Sequence, residues 1–175
     1  MARSGVSGGF KTLDLWVRKI DAAGGPAGLR ELSGLLAEEA IDLVAEGFKR
    51  EADPYDKRWP GKRFGDGRQV LVGKTARLRR GWHSLEVSAR GFRIAPSVNY
   101  ARYHQSGTGI HGPRKQRIKP KKAKALAFQA GGLMFARSVA GVPPRKMVPD
   151  KGNLPLRWRK ALVEVAREYF HEKFG

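Results

Sequence analysis

The residues that could do chemistry in this chain are few, and their spacing limits each of them. Gly73-Lys74-Thr75, following Val70-Leu71-Val72, has the look of the end of a phosphate-binding loop. Such a loop needs a glycine five positions before Gly73, so that main-chain N–H groups can curl around phosphates. Position 68 is Arg68, and the nearest glycine, Gly67, is one residue out of register. No parallel β-α-β pattern follows, so no nucleotide site is expected. His83, His104 and His111 would hold a metal only beside a carboxylate or thiolate. No acid stands between Glu86 and Asp150, and no metal or other cofactor is expected. Ser106 lies near His104, but without the G-x-S-x-G turn that exposes a nucleophile. Cysteine is absent, which removes thiol catalysis, disulfides and thiolate metal centres together. Carboxylates at useful spacing occur only at Glu38, Glu39, Asp42 and Glu46, the wet side of an amphipathic pattern. The expectation is that this protein is not an enzyme.

What remains is charge. The chain has 175 residues, with 35 Lys and Arg against 16 Asp and Glu, a net charge of +19. An excess of that size repels itself and seeks a polyanion or an acidic protein surface. It is also unevenly placed: no acid occurs from Val87 to Pro149, where thirteen Lys and Arg fall. The densest group is Arg114, Lys115, Arg117, Lys119, Lys121, Lys122 and Lys124. Non-specific contact with nucleic acid is therefore one reading, since cations on phosphates release counterions. Sequence-specific readout is not expected, because no helix-turn-helix, RRM or KH signature is present and no aromatic falls between Tyr103 and Phe128.

These side chains need a scaffold. At this length one domain is favoured, burying roughly 70 % of the unfolded surface. No run of 18 apolar residues exists, and Met1-Ala2-Arg3-Ser4-Gly5 leads into no apolar segment. A soluble protein, neither secreted nor membrane-bound, is expected. Residues 1–9 read as a loose tail. Leu13, Trp16, Val17 and Ile20 predict a helix over 10–23 capped by Thr12, closed by Gly24-Gly25-Pro26. A longer helix over 27–52 carries Leu29, Leu32, Leu36, Ala40 and Leu43 on one stripe and stops at Asp53-Pro54. Residues 53–69 form a long ordered loop, 70–72 a short strand, and 75–81 a turn or short helix. Alternation over 82–87 and 91–95 predicts a hairpin. Residues 100–105 form a short helix or turn, and 110–124 a basic loop. Residues 125–128 and 133–136 make a second hairpin across Gly131-Gly132. Asn153 caps a final helix carrying Trp158, Leu162, Val165 and Tyr169, with Pro155 in its first turn. The class is α+β: long helices packed on a small antiparallel sheet, with long basic loop insertions. Residues 1–24 are read as tail and short helix, and 25–175 as a single domain.

The order of several segments adds to this. Phe48-Lys49-Arg50-Glu51 is followed by Pro54 and then Trp59-Pro60. Leu71-Val72-Gly73-Lys74-Thr75-Ala76-Arg77-Leu78-Arg79-Arg80-Gly81 comes next, and then Asn99-Tyr100-Ala101-Arg102-Tyr103-His104-Gln105-Ser106-Gly107-Thr108. Pro143-Pro144-Arg145-Lys146-Met147-Val148-Pro149 precedes the last helix. In this order they resemble the phage virion morphogenesis, or tail completion, family of head–tail joining proteins, over residues 27–174. The second stretch is similar to that family's L-x-x-T-G-x-L-x-x-S, with Ala76 where the pattern has glycine. The third is similar to its Y-A-x-x-H-x-x-G-T, on Tyr100, Ala101, His104 and Gly107. The fourth, with Pro144 and Arg145, resembles its P-x-R-x-F-x-x.

The resemblance implies a structural virion protein that completes the tail or joins it to the head as an oligomeric ring, expected to be hexameric. It would sit at the neck or tail end, and in the host cytoplasm during assembly. Its partners would be copies of itself, the tail tube or tail terminator, and neck or connector proteins, with non-specific contact to packaged DNA. The alternatives are a non-specific nucleic-acid binder and a neck stopper gating genome exit. Contact with partner or neighbouring subunit is expected from the seven cations of residues 114–124 and from Arg145, stiffly presented by its prolines. Gly107 to Lys124 holds only Ile110 and Ile118 as large apolar residues. Ordering it costs on the order of 1–2 kcal/mol per residue, which two isoleucines do not offset. The loop is therefore expected to be mobile in a free subunit and to order on a partner.

Overall fold

The structure, a computed structural model, describes residues 9–62, 67–129 and 132–174. The elements are α1 (Gly9–Gly24), α2 (Pro26–Arg50), α3 (Arg77–Arg80), β1 (Trp82–Ser88), β2 (Gly91–Pro96), α4 (Ala101–Ser106), a 3-10 turn (Gly109–His111), β3 (Leu126–Gln129), β4 (Leu133–Ala136) and α5 (Leu156–Phe174). The fold is α+β. β1–β2 and β3–β4 form separate two-stranded sheets; the second is antiparallel, with Leu126 opposite Ala136 and Phe128 opposite Met134. No described helix is long and apolar enough to cross a membrane. The tail of residues 1–8 and the embedded Phe64 lie outside the described residues.

The chain divides into two units. One comprises Met1–Ala40, Ser84–Ile94 and Arg159–Gly175, the other Ile41–His83 and Ala95–Trp158. This division runs through α2, the first hairpin and α5, whereas the sequence reading places a boundary after residue 24.

In the first unit, Ala23, Ser33, Ala37, Ala40 and Tyr169 are buried. The Tyr169 hydroxyl donates to the Gly28 carbonyl at 3.0 Å, and Lys173 Nζ donates to Glu31 Oε1 at 3.1 Å. Two expectations are corrected here. Thr12 is no cap, because the helix already begins at Gly9. Val17 and Ile20, expected to face a core, are 47 % and 54 % exposed, since no described element covers that face of α1.

Along α2 the fully buried positions are Ser33, Ala37, Ala40, Val44 and Phe48, with Leu43 beside them. Leu29, Leu32 and Leu36 are half-buried flanks. The centre of the stripe thus lies beside the leucines and is built largely of smaller side chains.

The second unit packs Phe48, Trp59, Val70, Leu78, Val98, Met147 and Trp158 into its core. Phe48 meets Trp59 edge-on, ring centroids 5.3 Å apart. Pro54 is not what stops α2. The Ala52 N–H donates to the Gly47 carbonyl at 3.1 Å, and Glu51 takes the left-handed conformation (φ 52°) that this helix-closing bond requires. The strand expected at 70–72 is a turn. Glu51 Oε1 accepts the Val70 N–H, Val72 N–H reaches the Gln69 carbonyl at 3.2 Å, and Leu71 sits at φ 63°, which no pleated strand contains. Ala76, where the resembled pattern has glycine, is also left-handed (φ 49°). Asn153 caps nothing: α5 begins at Leu156, directly after the buried Pro155, and the Asn153 carbonyl accepts the Tyr55 hydroxyl at 2.9 Å.

Candidate functional site

Three segments that are far apart in the sequence meet around Arg145. Its flanking prolines hold the backbone extended, and its own N–H donates to the His104 carbonyl at 2.6 Å. The side chain is 7 % exposed. Nε donates to the Pro60 carbonyl and Nη2 to the Gly61 carbonyl, both at 2.8 Å. A guanidinium stays charged at neutral pH even though burial pulls its pKa below the ordinary arginine value. It is therefore a buried cation held by carbonyl dipoles, and the expectation of a presented contact residue is corrected.

Neighbouring residues close the junction. Trp59 Nε1 donates to the Lys146 carbonyl at 2.9 Å. The Gln105 amide clamps the next two residues: Oε1 accepts the Met147 N–H at 2.8 Å and the Val148 N–H at 3.3 Å, while Nε2 donates to the Val148 carbonyl at 2.8 Å. Gln105 carried no signal of its own; only its place inside the Tyr100–Thr108 stretch pointed to it. Tyr100 is half exposed and meets His104 edge-on at 6.2 Å, and Ala101 is buried. Burial first, and then the Arg145 guanidinium, hold the His104 imidazole below the usual histidine pKa. Among the described residues its buried Nδ1 has no hydrogen-bond partner, so Ser106 does not serve it. Pro144 is exposed yet stands where a side chain on Gly107 (φ 72°) would have to go.

Beyond the junction the chain runs out into the basic loop and returns. Gly109 (φ 63°) and Gly141 (φ 96°) lie back to back: a Cβ on Gly109 would strike the Ala140 carbonyl, and one on Gly141 the Thr108 carbonyl. That closeness lets Thr108 N–H reach the Val142 carbonyl at 2.9 Å and Ile110 N–H the Ala140 carbonyl at 2.8 Å. Val142 N–H donates to Thr108 Oγ1 at 2.9 Å, and Ile118 and Val139 exchange two main-chain bonds of 2.9 Å. Residues 107–118 are thus pinned to residues 139–142. The mobility expected for the whole loop counted side-chain burial only and left out these main-chain bonds, each worth about 0.5–1.5 kcal/mol net. Among the described residues, no main-chain hydrogen bond involves Lys119, Lys121, Lys122 or Lys124.

The pinned loop encloses an open groove of about 440 Å³. Arg114, Arg117, Lys119 and Lys121 line it, against a wall formed by Tyr103 and Ile118. Lys115, Lys122 and Lys124 are exposed but do not line it. Arg117 is held in place by Ser138, whose Oγ accepts Nε at 2.9 Å. Lys115 turns the chain at φ 47°, with its N–H on the Gly112 carbonyl at 3.0 Å. The Arg102 guanidinium lies 4.9 Å from the Tyr103 ring centroid and donates to its hydroxyl at 2.9 Å. Residue types and spacing gave no sign of this pair as part of the basic surface.

The phosphate-loop fragment Gly73-Lys74-Thr75 lies on a turn before the four-residue α3. Among the described residues, no three His, Asp or Glu side chains come together as a metal site would require. No family model, no curated protein and no solved structure matches this chain.

Proposed function

We propose that the protein is a structural subunit of the head–tail interface of a tailed phage, completing the tail or joining it to the head as an oligomeric ring, and that it carries no catalysis of its own. The observation behind this reading is the junction at Arg145. The Trp59-Pro60, Tyr100–Thr108 and Pro143–Pro149 segments, which carry the family resemblance, share one hydrogen-bonded cluster although up to 87 residues separate partners within it. The cluster acts as a frame: Trp59, Gln105 and Arg145 spend their side-chain groups on main chain, and the basic loop runs out from it. That is the economy of a scaffold for docking.

Sedimentation velocity and native mass measurement of the purified protein, alone and mixed with isolated tail tubes, test the reading. A closed ring, or a ring formed on the tube end, is the expected result. A strict monomer that binds neither tubes nor connector overturns it.

A further inference from the structure

We infer that the groove between Tyr103 and Lys121 is a binding site for a single strand of nucleic acid, held by its phosphodiester backbone. This goes beyond the head–tail reading and does not depend on it.

The charge is local and built. Arg114, Arg117, Lys119 and Lys121 converge on one groove, and the sequence places no acid anywhere from Val87 to Pro149 to neutralise them. Among the described residues, none of these four forms an ion pair. The backbone is shaped to gather them. Ile118 is fixed to Val139 by two main-chain bonds, so Arg117 and Lys119 flank an anchored residue on the lining of the groove. The left-handed Lys115 bends the chain between Arg114 and Arg117, a conformation that a residue with a Cβ rarely adopts.

The ligand class follows from the wall and the size. Tyr103 is 47 % exposed and already stacks with the Arg102 guanidinium, which places a ring among cations. An unpaired base can stack on an exposed ring face, whereas a base inside a duplex has both faces already taken. A groove of about 440 Å³ has room for a short stretch of one strand. The contacts available are to phosphate and ring faces, so binding is indifferent to sequence and steeply dependent on salt.

Fluorescence anisotropy with a labelled oligo-thymidylate, a duplex of equal length and polyglutamate, at two NaCl concentrations, tests this on the full chain. Each variant is first shown to melt like the unmodified protein. Replacing Arg114, Lys119 and Lys121 by Ser is expected to weaken oligo-thymidylate binding at least tenfold and to flatten the salt slope by about 2, from roughly 0.7 per lost cation. The equal-charge control, Ser at Lys151, Arg159 and Lys160, is expected to change affinity less than threefold. Tyr103→Ala should cost fivefold or more and Tyr103→Phe less than twofold. Equal losses in the two triple variants would mean diffuse charge and no site. Polyglutamate binding as tightly as oligo-thymidylate, or duplex binding as tightly as the single strand, also overturns the assignment. Ring assembly is a separate measurement and can succeed or fail without altering these results.

Discussion

Arg145 shows how much one side chain can organise. Its guanidinium donates to two carbonyls from a loop 84 and 85 residues away, and those carbonyls lose their partner if it is removed. Hydrogen bonds to a charged group contribute about 1.5–3 kcal/mol each. Arg145→Met is therefore expected to destabilise the protein by about 2–4 kcal/mol in urea unfolding, and Arg145→Lys to recover little, because an ammonium cannot span both carbonyls. Its neighbour His104 gives a pH signature. Burial and the Arg145 charge lower its pKa in the folded protein, so the unfolded chain binds a proton more readily. Stability then rises with pH where the two states differ. As pH falls below about 6.5, the value of a free histidine, stability is lost, until the folded-state pKa is passed. Melting temperature should fall between pH 7 and pH 5, and His104→Asn should flatten that part of the curve. An unchanged slope in the variant would assign the loss to other groups.

At the scale of elements, the decisive contacts are between backbones. Gly141→Ala would place a methyl group against the Thr108 carbonyl at φ 96°, in a place with no room to yield. It should cost about 3 kcal/mol or more, read in urea, with the groove loop losing hydrogen-exchange protection first. The same feature explains what the sequence could and could not reveal. Hydrophobic period and turn residues are local signals, and they located α1, α2, α4, α5 and both hairpins within a few residues. Glu51, Leu71, Ala76 and Lys115 are left-handed residues other than glycine, where tertiary contacts override local preference. No propensity announces such positions, and Glu51 and Leu71 lie where the structure departs from the expected helix stop and strand. The candidate site was half legible. Its cations stood out by composition. Its wall did not, because Tyr103 joins them only through the turn at Gly107 and the return of residues 138–142.

For the whole molecule, +19 is a strain distributed over every contact. Like charges repel across the folded chain, while the described ion pairs are mostly at the surface. Salt screens the repulsion more than it weakens those pairs, since cations outnumber acids by more than two to one. Raising NaCl from 50 to 500 mM is expected to raise the melting temperature; a drop would show that pairing outweighs repulsion.

The basic loop also fixes where the chain can be cut without being lost. Lys119 is followed by Pro120, a peptide bond that trypsin leaves alone, and Arg117 adjoins the Ile118–Val139 pairing. Lys121, Lys122 and Lys124 are exposed and outside that ladder, so within this loop they are open to a protease in the native protein. A single nick in this loop should give two pieces that meet between residues 121 and 125. They should still travel together on a sizing column, because residues 107–118 and 139–142 are laced across the nick. The protein would tolerate a break in its chain at the very place where it reaches outward.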